Sequence, residues 1–285
     1  MRTLSPLRGL RAEDEPRLSE ELRRNPDENA YLLGLLADYS LQGLRDLGWG
    51  TFYWEDAGDG LRSVFYADIT GLAAATGVTE RTAEAFAEKY VQDPFPIDRL
   101  ISERESVRLL HESLERRDPR RCGYRRRFEE TGMVFRNGST LEPGEPNLRL
   151  AHRYEAKKIA EGSARAMAEE LEVETSGEEY DRLVRSKQDL IRRRRYFVLV
   201  RRREILFQAY LSAALPDVCQ IQGVWVPPER RGRGIAQRCI AEIARRSLER
   251  CDRVVLRVQN RNLPALAAYR KAGFVPFMDY LSIWY

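Results

Sequence analysis

The sequence predicts an α/β fold with two domains in tandem, each a mixed sheet flanked by helices. A length of 285 residues corresponds to about two average domains. Short apolar runs alternate with helical segments in both halves, and the two halves have a similar order of elements. Residues 137–146 contain two Pro and two Gly, which is typical of a linker. We therefore expect one domain over residues 1–145 and a second over residues 146–285.

The predicted elements follow from periodicity and from turn residues. The first half should form helices at residues 13–47, 79–90 and 103–117, and strands at 51–54, 63–67, 99–102, 124–128 and 133–135. Gly58-Asp59-Gly60 should join the first two strands as a hairpin turn. The second half should form strands at 148–151, 196–201, 205–211, 218–226, 253–258 and 277–285, and helices near 153–172, 178–194, 235–250 and 263–272. Gly223 lies inside a predicted strand, which indicates a bulge or a close backbone approach.

Composition excludes several classes of protein. With 43% hydrophobic and 32% charged residues, the chain has enough apolar surface to fold as a globular protein. It contains no apolar run near the roughly 20 residues that span a bilayer, and residues 1–16 contain no secretory signal. Two His and four Cys without CxxC spacing (Cys122, Cys219, Cys239 and Cys251) indicate neither a metal site nor disulfides. We expect a cytoplasmic protein.

Charge differs between the two halves. Residues 1–145 contain 21 Lys and Arg against 27 Asp and Glu, whereas residues 146–285 contain 27 against 17. A basic half is compatible with nucleic acid, a membrane surface or a polyanionic small molecule. The arginine runs at 192–195 and 201–203 lack the interleaved aromatic residues of a base-stacking surface, so we favour solvated arginines over nucleic-acid binding.

A basic, glycine-rich turn follows the strand at 218–226 and opens a helix. Gly232 and Gly234 allow a ligand to approach the backbone, because neither residue has a Cβ. The first turn of the helix, at Ile235 and Ala236, should have unpaired N–H groups and the positive end of the helix dipole. Positive charge is added by Arg230, Arg231 and Arg233. These features predict a phosphate-binding loop.

Two other phosphate loops are excluded. The turn lacks the Gly-Lys-Ser/Thr of a P-loop. A Rossmann motif would need a glycine at Gln237 and an acidic residue at the end of the next strand, where Gln259 lies instead.

A second motif begins at Asn262, which should cap a helix that ends at Gly273. Asn262, Ala265 and Tyr269 are separated by three and four residues, so they share one helix face. Together the two motifs resemble the GNAT-type N-acetyltransferase superfamily over residues 148–285. The loop pattern Gln/Arg-x-x-Gly-x-Gly/Ala is matched by Arg231, Gly234 and Ala236, and the later pattern by Asn262, Ala265, Tyr269, Gly273 and Phe274.

The resemblance implies a mixed, mostly antiparallel twisted sheet with a splayed acyl-CoA cleft, opening where strand 218–226 diverges from strand 253–258 after Gly223. It also implies acetyl-CoA as cosubstrate, no metal, and Tyr269 as the general acid that protonates the leaving thiolate. The cofactor-binding residues would be Val224, Val226, Arg231, Gly232, Arg233, Gly234, Ile235, Ala236 and Asn262. The first half resembles the degenerate copy of tandem GNAT proteins, because residues 1–145 contain no matching loop, and we expect it to be non-catalytic.

The catalytic base is not identified by this resemblance. Many members have a glutamate on the strand equivalent to residues 218–226, whereas this chain has Gln220 and Gln222. Glu169, Glu170 and Asp217 are candidates elsewhere, and a water chain or an acceptor α-amine of lower pKa would remove the need for a strong base.

The leading hypothesis is therefore an N-acetyltransferase that acetylates a primary amine of a small molecule or peptide. The alternatives are an acyl-CoA-binding sensor without turnover and, less favoured, a nucleic-acid-associated protein. The acceptor and the oligomeric state, a homodimer included, are left open by the sequence.

Overall fold

Each half of the chain has the same succession of elements. The computed structural model describes residues 7–56, 61–92, 95–136 and 143–285. Apart from short 3-10 turns, each half consists of a short strand, two helices, three strands, a helix, a strand, a helix and a last strand. The similar order predicted from the sequence is thus confirmed.

The first half contains six strands and four helices among its described residues. The strands are β1 (Arg8–Gly9), β2 (Gly50–Asp56), β3 (Leu61–Asp68), β4 (Leu72–Thr76), β5 (Arg99–Glu103) and β6 (Arg126–Arg136). The helices are α1 (Glu15–Arg23), α2 (Pro26–Asp46), α3 (Glu80–Gln92) and α4 (Arg104–Arg117).

The second half repeats this order. Its strands are β7 (Arg149–Leu150), β8 (Tyr196–Arg201), β9 (Glu204–Ala214), β10 (Cys219–Trp225), β11 (Arg253–Gln259) and β12 (Val275–Trp284). Its helices are α5 (Ala156–Leu171), α6 (Gly177–Arg192), α7 (Ile235–Ser247) and α8 (Leu263–Lys271).

By contact the chain divides into two units, neither of which is one continuous segment. Unit 1 comprises the described residues of Met1–Gly132, Val258–Arg261 and Pro276–Tyr285, and unit 2 comprises those of Met133–Arg257 and Asn262–Val275. The final strand, β12, therefore lies in unit 1, apart from its first residue. A domain boundary between residues 145 and 146 stays a prediction.

Unit 1 is a sheet in the order β1-β2-β3-β4-β5-β12 with helices packed against it. Its pairs are antiparallel except β4 with β5, which run parallel. Strand β12 pairs with β5 from Tyr280 opposite Glu103 to Trp284 opposite Arg99. Apolar residues of α3, α4, β3, β5 and β12 form one buried cluster that includes Phe65, Phe86, Leu100, Val107 and Leu281.

Unit 2 contains the strands β11-β10-β9-β8-β7 in this order, and β6, whose residues from Met133 on belong to this unit, borders β11. Strand β10 is parallel to β11 at only two positions, Cys219 opposite Val254 and Gln220 opposite Val255. The splay therefore begins at Gln220, where the register with β9 also shifts, and not after Gly223 as predicted. The register between β10 and β9 shifts at two places, and the parallel pairing of β10 with β11 already ends at the first of them.

Other differences from the predicted elements are local. Strand β4, with the sequence Leu-Ala-Ala-Ala-Thr, was not predicted. The strands predicted at 124–128 and 133–135 form the single strand β6, in which Gly132 accommodates the rings of Phe277 and Tyr280. The turn at Gly58-Asp59-Gly60 and linker residues 137–142 lie outside the described residues.

Candidate active site

A cavity of about 470 Å³ lies within unit 2, which is a size typical of small-molecule sites. Its walls come from the end of α5, the end of β10, the turn after it, the start of α7, and α8. Among the residues predicted to bind the cofactor, the strand and the turn contribute Val224, Val226, Arg231, Gly232 and Gly234. The helices and their caps contribute Ile235, Ala236, Asn262 and the predicted general acid Tyr269.

The backbone of the turn is shaped to receive an anion. Gly232 and Gly234 have φ angles of 75° and 69°, in the left-handed region that favours glycine. A Cβ on Gly232 would have no atom within 4 Å, so the space beside it is open. Gly234 is the N-cap of α7 and provides no side-chain cap. Since the first N–H groups of a helix have no intrahelical partner, the start of α7 offers donors and a positive dipole end to the cavity.

Arg231 is exposed, and its side chain supports the turn from the protein surface. Its Nε donates to the carbonyl oxygen of Val226 at 3.0 Å, and its Nη2 lies 2.5 Å from a carboxylate oxygen of Glu169. The side chain thus joins the end of β10 to the end of α5, which fixes the turn between them.

The other two arginines of the turn differ from each other. Arg233, predicted to bind the cofactor, is exposed and is not among the described residues that line the cavity. Only its carbonyl oxygen is engaged, accepting from Nη1 of Arg238 at 3.2 Å. Arg230 does line the cavity and pairs with Glu204 at 2.7 Å.

A bulge at Gly223 turns the end of β10 into the cavity. The register with β9 shifts between Gln222 and Trp225, and Gly223 has a φ of 62°. A Cβ at this position would lie 2.5 Å from Cε1 of Tyr210, so the close approach requires glycine. Val224 and Val226, which follow the bulge, both line the cavity.

Helix α8 brings Tyr269 to the opposite wall. Asn262 caps the helix, its Oδ1 accepting from the N–H of Ala265 at 3.2 Å. Tyr269 is buried, with 5% of its surface exposed. Burial, and to a smaller extent the charge of Glu170, raises the pKa of Tyr269 above its ordinary value. The phenol is therefore protonated at neutral pH and can act as a proton donor.

Further lining residues were missed in the sequence. Trp225 lies between the two predicted valines, and Gln237 is the third residue of α7. Pro264, Ala268 and Lys271 line the cavity from α8. Their spacing of four and three residues is a helix face, which was the signal available for them.

Among the described residues, no group of three or more His, Cys, Asp or Glu side chains is arranged to hold a metal ion. No helix in the described part of the chain is long and apolar enough to cross a bilayer.

Residues 164–274 match the model of the acetyltransferase (GNAT) family. Among solved structures, a GNAT-family acetyltransferase from Colwellia psychrerythraea is 10% identical with a TM-score of 0.60, covering 99% of this chain and 100% of that one. A Drosophila protein is 12% identical with a TM-score of 0.68 and 98% coverage of both chains. A tandem GNAT protein from the clavulanic acid biosynthesis pathway is 12% identical with a TM-score of 0.55, again with 98% coverage of both. No curated protein matches the chain significantly in sequence.

The family match contains the turn, α7 and α8, which are the elements that build the cavity. The structural matches extend over the whole chain and show its fold. Residues 164–274 thus form a domain of the GNAT acetyltransferase family, and the chain as a whole has the fold of the tandem GNAT protein that it matches.

Proposed function

We propose that this protein is an N-acetyltransferase that moves the acetyl group of acetyl-CoA to a primary amine of a small molecule or peptide. One observation carries the proposal: the uncapped start of α7, open beside Gly232, and the buried phenol of Tyr269 face the same cavity.

The turn and the start of α7 would bind the pyrophosphate. The donors are the N–H groups of the turn and of Ile235 and Ala236, whose unpaired state and dipole favour negative charge. Arg231 contributes charge while holding the turn in place, and Asn262 fixes the first turn of α8 on the opposite wall. We assign Arg233 a long-range charge effect only, because its side chain is exposed and is not among the residues that line the cavity.

The end of β10 would align the pantetheine arm and the thioester. The carbonyl oxygen of Val226 accepts a hydrogen bond from Arg231. We therefore expect the cofactor to contact the backbone of Val226 through its N–H group. The next two residues are Pro227 and Pro228, which have no N–H. The N–H of Val226 or of Trp225 is therefore placed to stabilise the charge that develops on the thioester oxygen.

Tyr269 would protonate the departing sulfur. A thiolate is a better leaving group when a donor gives it a proton as the C–S bond breaks. Residues 1–145 are proposed to be non-catalytic, and the cytoplasmic location stays a prediction from the sequence.

A sensor that binds acyl-CoA without turnover is the second candidate. The observation in its favour is that β10 provides Gln220 and Gln222 and no carboxylate on its inner positions. Both side chains are also hydrogen-bonded, Oε1 of Gln220 to Ser212 at 2.9 Å and Oε1 of Gln222 to Tyr210 at 3.0 Å.

Calorimetric titration with acetyl-CoA, followed by CoA release with a panel of amines, separates these functions. We expect binding and amine-dependent release. Binding without release on any amine would favour the sensor, and the absence of binding would exclude both.

A further inference from the structure

Acetyl transfer needs a group that removes a proton from the acceptor, because an ammonium nitrogen has no electron pair for attack. Neither glutamine of β10 can accept this proton, and both are engaged in hydrogen bonds within the sheet. If the proposed function holds and a side chain of this protein is the base, the base lies on another element. Glu169, Glu170 and Asp217 are the carboxylates to compare.

Asp217 lies at the wrong end of the strand. It precedes Cys219, the first residue of β10, whereas the cavity begins at Val224 near the other end. At a rise of about 3.3 Å per residue, Asp217 is roughly 20 Å from the cavity. A direct proton transfer requires hydrogen-bond distance or one bridging water, so Asp217 is excluded.

Glu169 also lines the cavity, but its carboxylate already has a structural role. It lies 2.5 Å from Nη2 of Arg231 and joins the turn to the end of α5. Protonation of Glu169 would release the turn from α5, so its role is to position the turn.

Glu170 shares the cavity with Tyr269. Helix α5 comes close to the sheet at Gly162, where a Cβ would lie 2.7 Å from Oε1 of Gln208 and 3.1 Å from Trp225. About two turns later the helix brings Glu170 to the cavity wall. The two groups also interact electrostatically, because the charge of Glu170 contributes to the raised pKa of Tyr269. Glu170 is otherwise exposed, which gives its proton a route to water.

The geometry points to Glu170 as the catalytic base of the proposed reaction, opposite Tyr269 as the acid. The acceptor ammonium gives one proton to Glu170, and this proton passes to water. The nitrogen electron pair then forms the C–N bond as the C–S bond breaks, and the phenol proton of Tyr269 goes to the sulfur. Glu170 takes the second nitrogen proton and returns it to Tyr269, so an amide, a thiol and one proton are the products.

Glu170→Gln is the decisive variant. It removes the proton acceptor and keeps the size of the side chain. A purely electrostatic role, in which Glu170 only attracts the ammonium form of the acceptor, would raise KM and leave kcat and its pH profile unchanged. We expect kcat/KM for benzylamine to fall about a hundredfold, with unchanged acetyl-CoA affinity. The loss should be much smaller for aniline, which is already neutral at pH 7, and Glu170→Asp should recover part of the activity.

Two controls and one further readout complete the test. Asp217→Asn should leave rates and affinity unchanged, and Glu169→Gln should alter acetyl-CoA affinity while the pH profile of kcat keeps its shape. CoA release to water without amine provides a rate that does not depend on the choice of acceptor, and Glu170→Gln should lower it as well.

Wild-type rates and pH profile in Glu170→Gln would overturn the role of Glu170 and leave the proposed function intact. A wild-type protein that releases CoA to neither amine nor water would overturn both.

Discussion

The turn after β4 in the first half and the turn after β10 in the second occupy the same place in the repeated order of elements. Both strands pair in parallel with the next strand along the chain, and each does so at two positions. After β4, the chain passes through Gly77, Val78 and Thr79 and enters α3 at once. After β10, residues 226–234 precede α7.

The starts of helices α3 and α7 differ in the hydrogen-bond partners of their first N–H groups. At α3, the N–H of Thr82 donates to Oγ1 of Thr79 at 3.3 Å, and the N–H of Thr79 donates to Oγ1 of Thr82 at 2.9 Å. Side chains thus close the start of α3, whereas Gly234 leaves the start of α7 open. The following helices differ as well: seven residues after its N-cap, α8 has Tyr269 and α4 has the buried Leu110.

Under the proposed function, one topology supports an open anion-binding turn with a proton donor in the second half and a closed, apolar turn in the first. The strands and helices are shared, and the chemistry would reside in one turn and one helix position.

Tyr269→Phe should have the largest effect. Removal of the hydroxyl gives α8 the apolar character that Leu110 gives α4, and the leaving sulfur loses its proton donor. We expect kcat to fall about a hundredfold or more with acetyl-CoA affinity nearly unchanged. Steady-state kinetics and calorimetry measure the two quantities, and equal losses in both would remove Tyr269 from the acid role.

Gly232→Ala should have the next largest effect on the cofactor. A Cβ in the left-handed region costs about 1–2 kcal/mol, and here it would also enter the space proposed for the pyrophosphate. We expect roughly tenfold weaker binding of acetyl-CoA by calorimetry. Gly77→Ala is the matched control, since Gly77 has a φ of 67° in the closed turn. It should lower stability and leave binding unchanged, and weaker binding in this control would contradict the assignment of the site to unit 2.

The N-caps of α8 and α4 form a second matched pair. Asn262→Ala and Glu103→Ala each remove a cap, Glu103 accepting from the N–H groups of Glu105 and Ser106. Each should lower the free energy of unfolding by about 1 kcal/mol. Only Asn262→Ala should also raise the Kd for acetyl-CoA, by a few fold. Denaturation and calorimetry on both variants provide the check, and a similar rise in Kd for Glu103→Ala would count against the comparison.

Arg233→Ala should have the smallest effect. The sequence predicts Arg233 in the cofactor site; its side chain is exposed and is not among the residues that line the cavity. Its charge should act at long range only, so its substitution should change affinity less than twofold at physiological ionic strength, where exposed charges are screened. Arg230→Ala should change it more, because Arg230 lines the cavity. A larger loss of affinity in Arg233→Ala than in Arg230→Ala would support a direct contact between Arg233 and the cofactor.

Most elements of the fold and the outline of the site could be predicted because their signals are local. The caps at Thr79 and Asn262 and the glycines of the turn follow from backbone chemistry that short segments carry by themselves. Strand β4 was missed because its three alanines have little preference for extended structure. The position where β10 leaves β11 depends on a register with β9, and register is a long-range property.

The candidate catalytic base, Glu170, could not be identified from the sequence alone either. Glu169 and Glu170 are adjacent in sequence and equivalent in type, so sequence alone gives no reason to separate them. Both line the cavity in the structure, but Glu169 pairs with Arg231, whereas the charge of Glu170 acts on Tyr269. These partners lie more than 60 residues away along the chain.

The last strand of the chain, β12, completes the sheet of unit 1, and this has a consequence for synthesis of the protein. Unit 1 needs β12 beside β5, and β12 is made some 170 residues after β5. Nearly the whole of the second half must therefore leave the ribosome before the sheet of the first unit is complete. During that interval the edge of β5 lacks its partner, and an unpaired edge is prone to wrong pairing. We infer that translation speed through the second half influences how much of the protein reaches its native state.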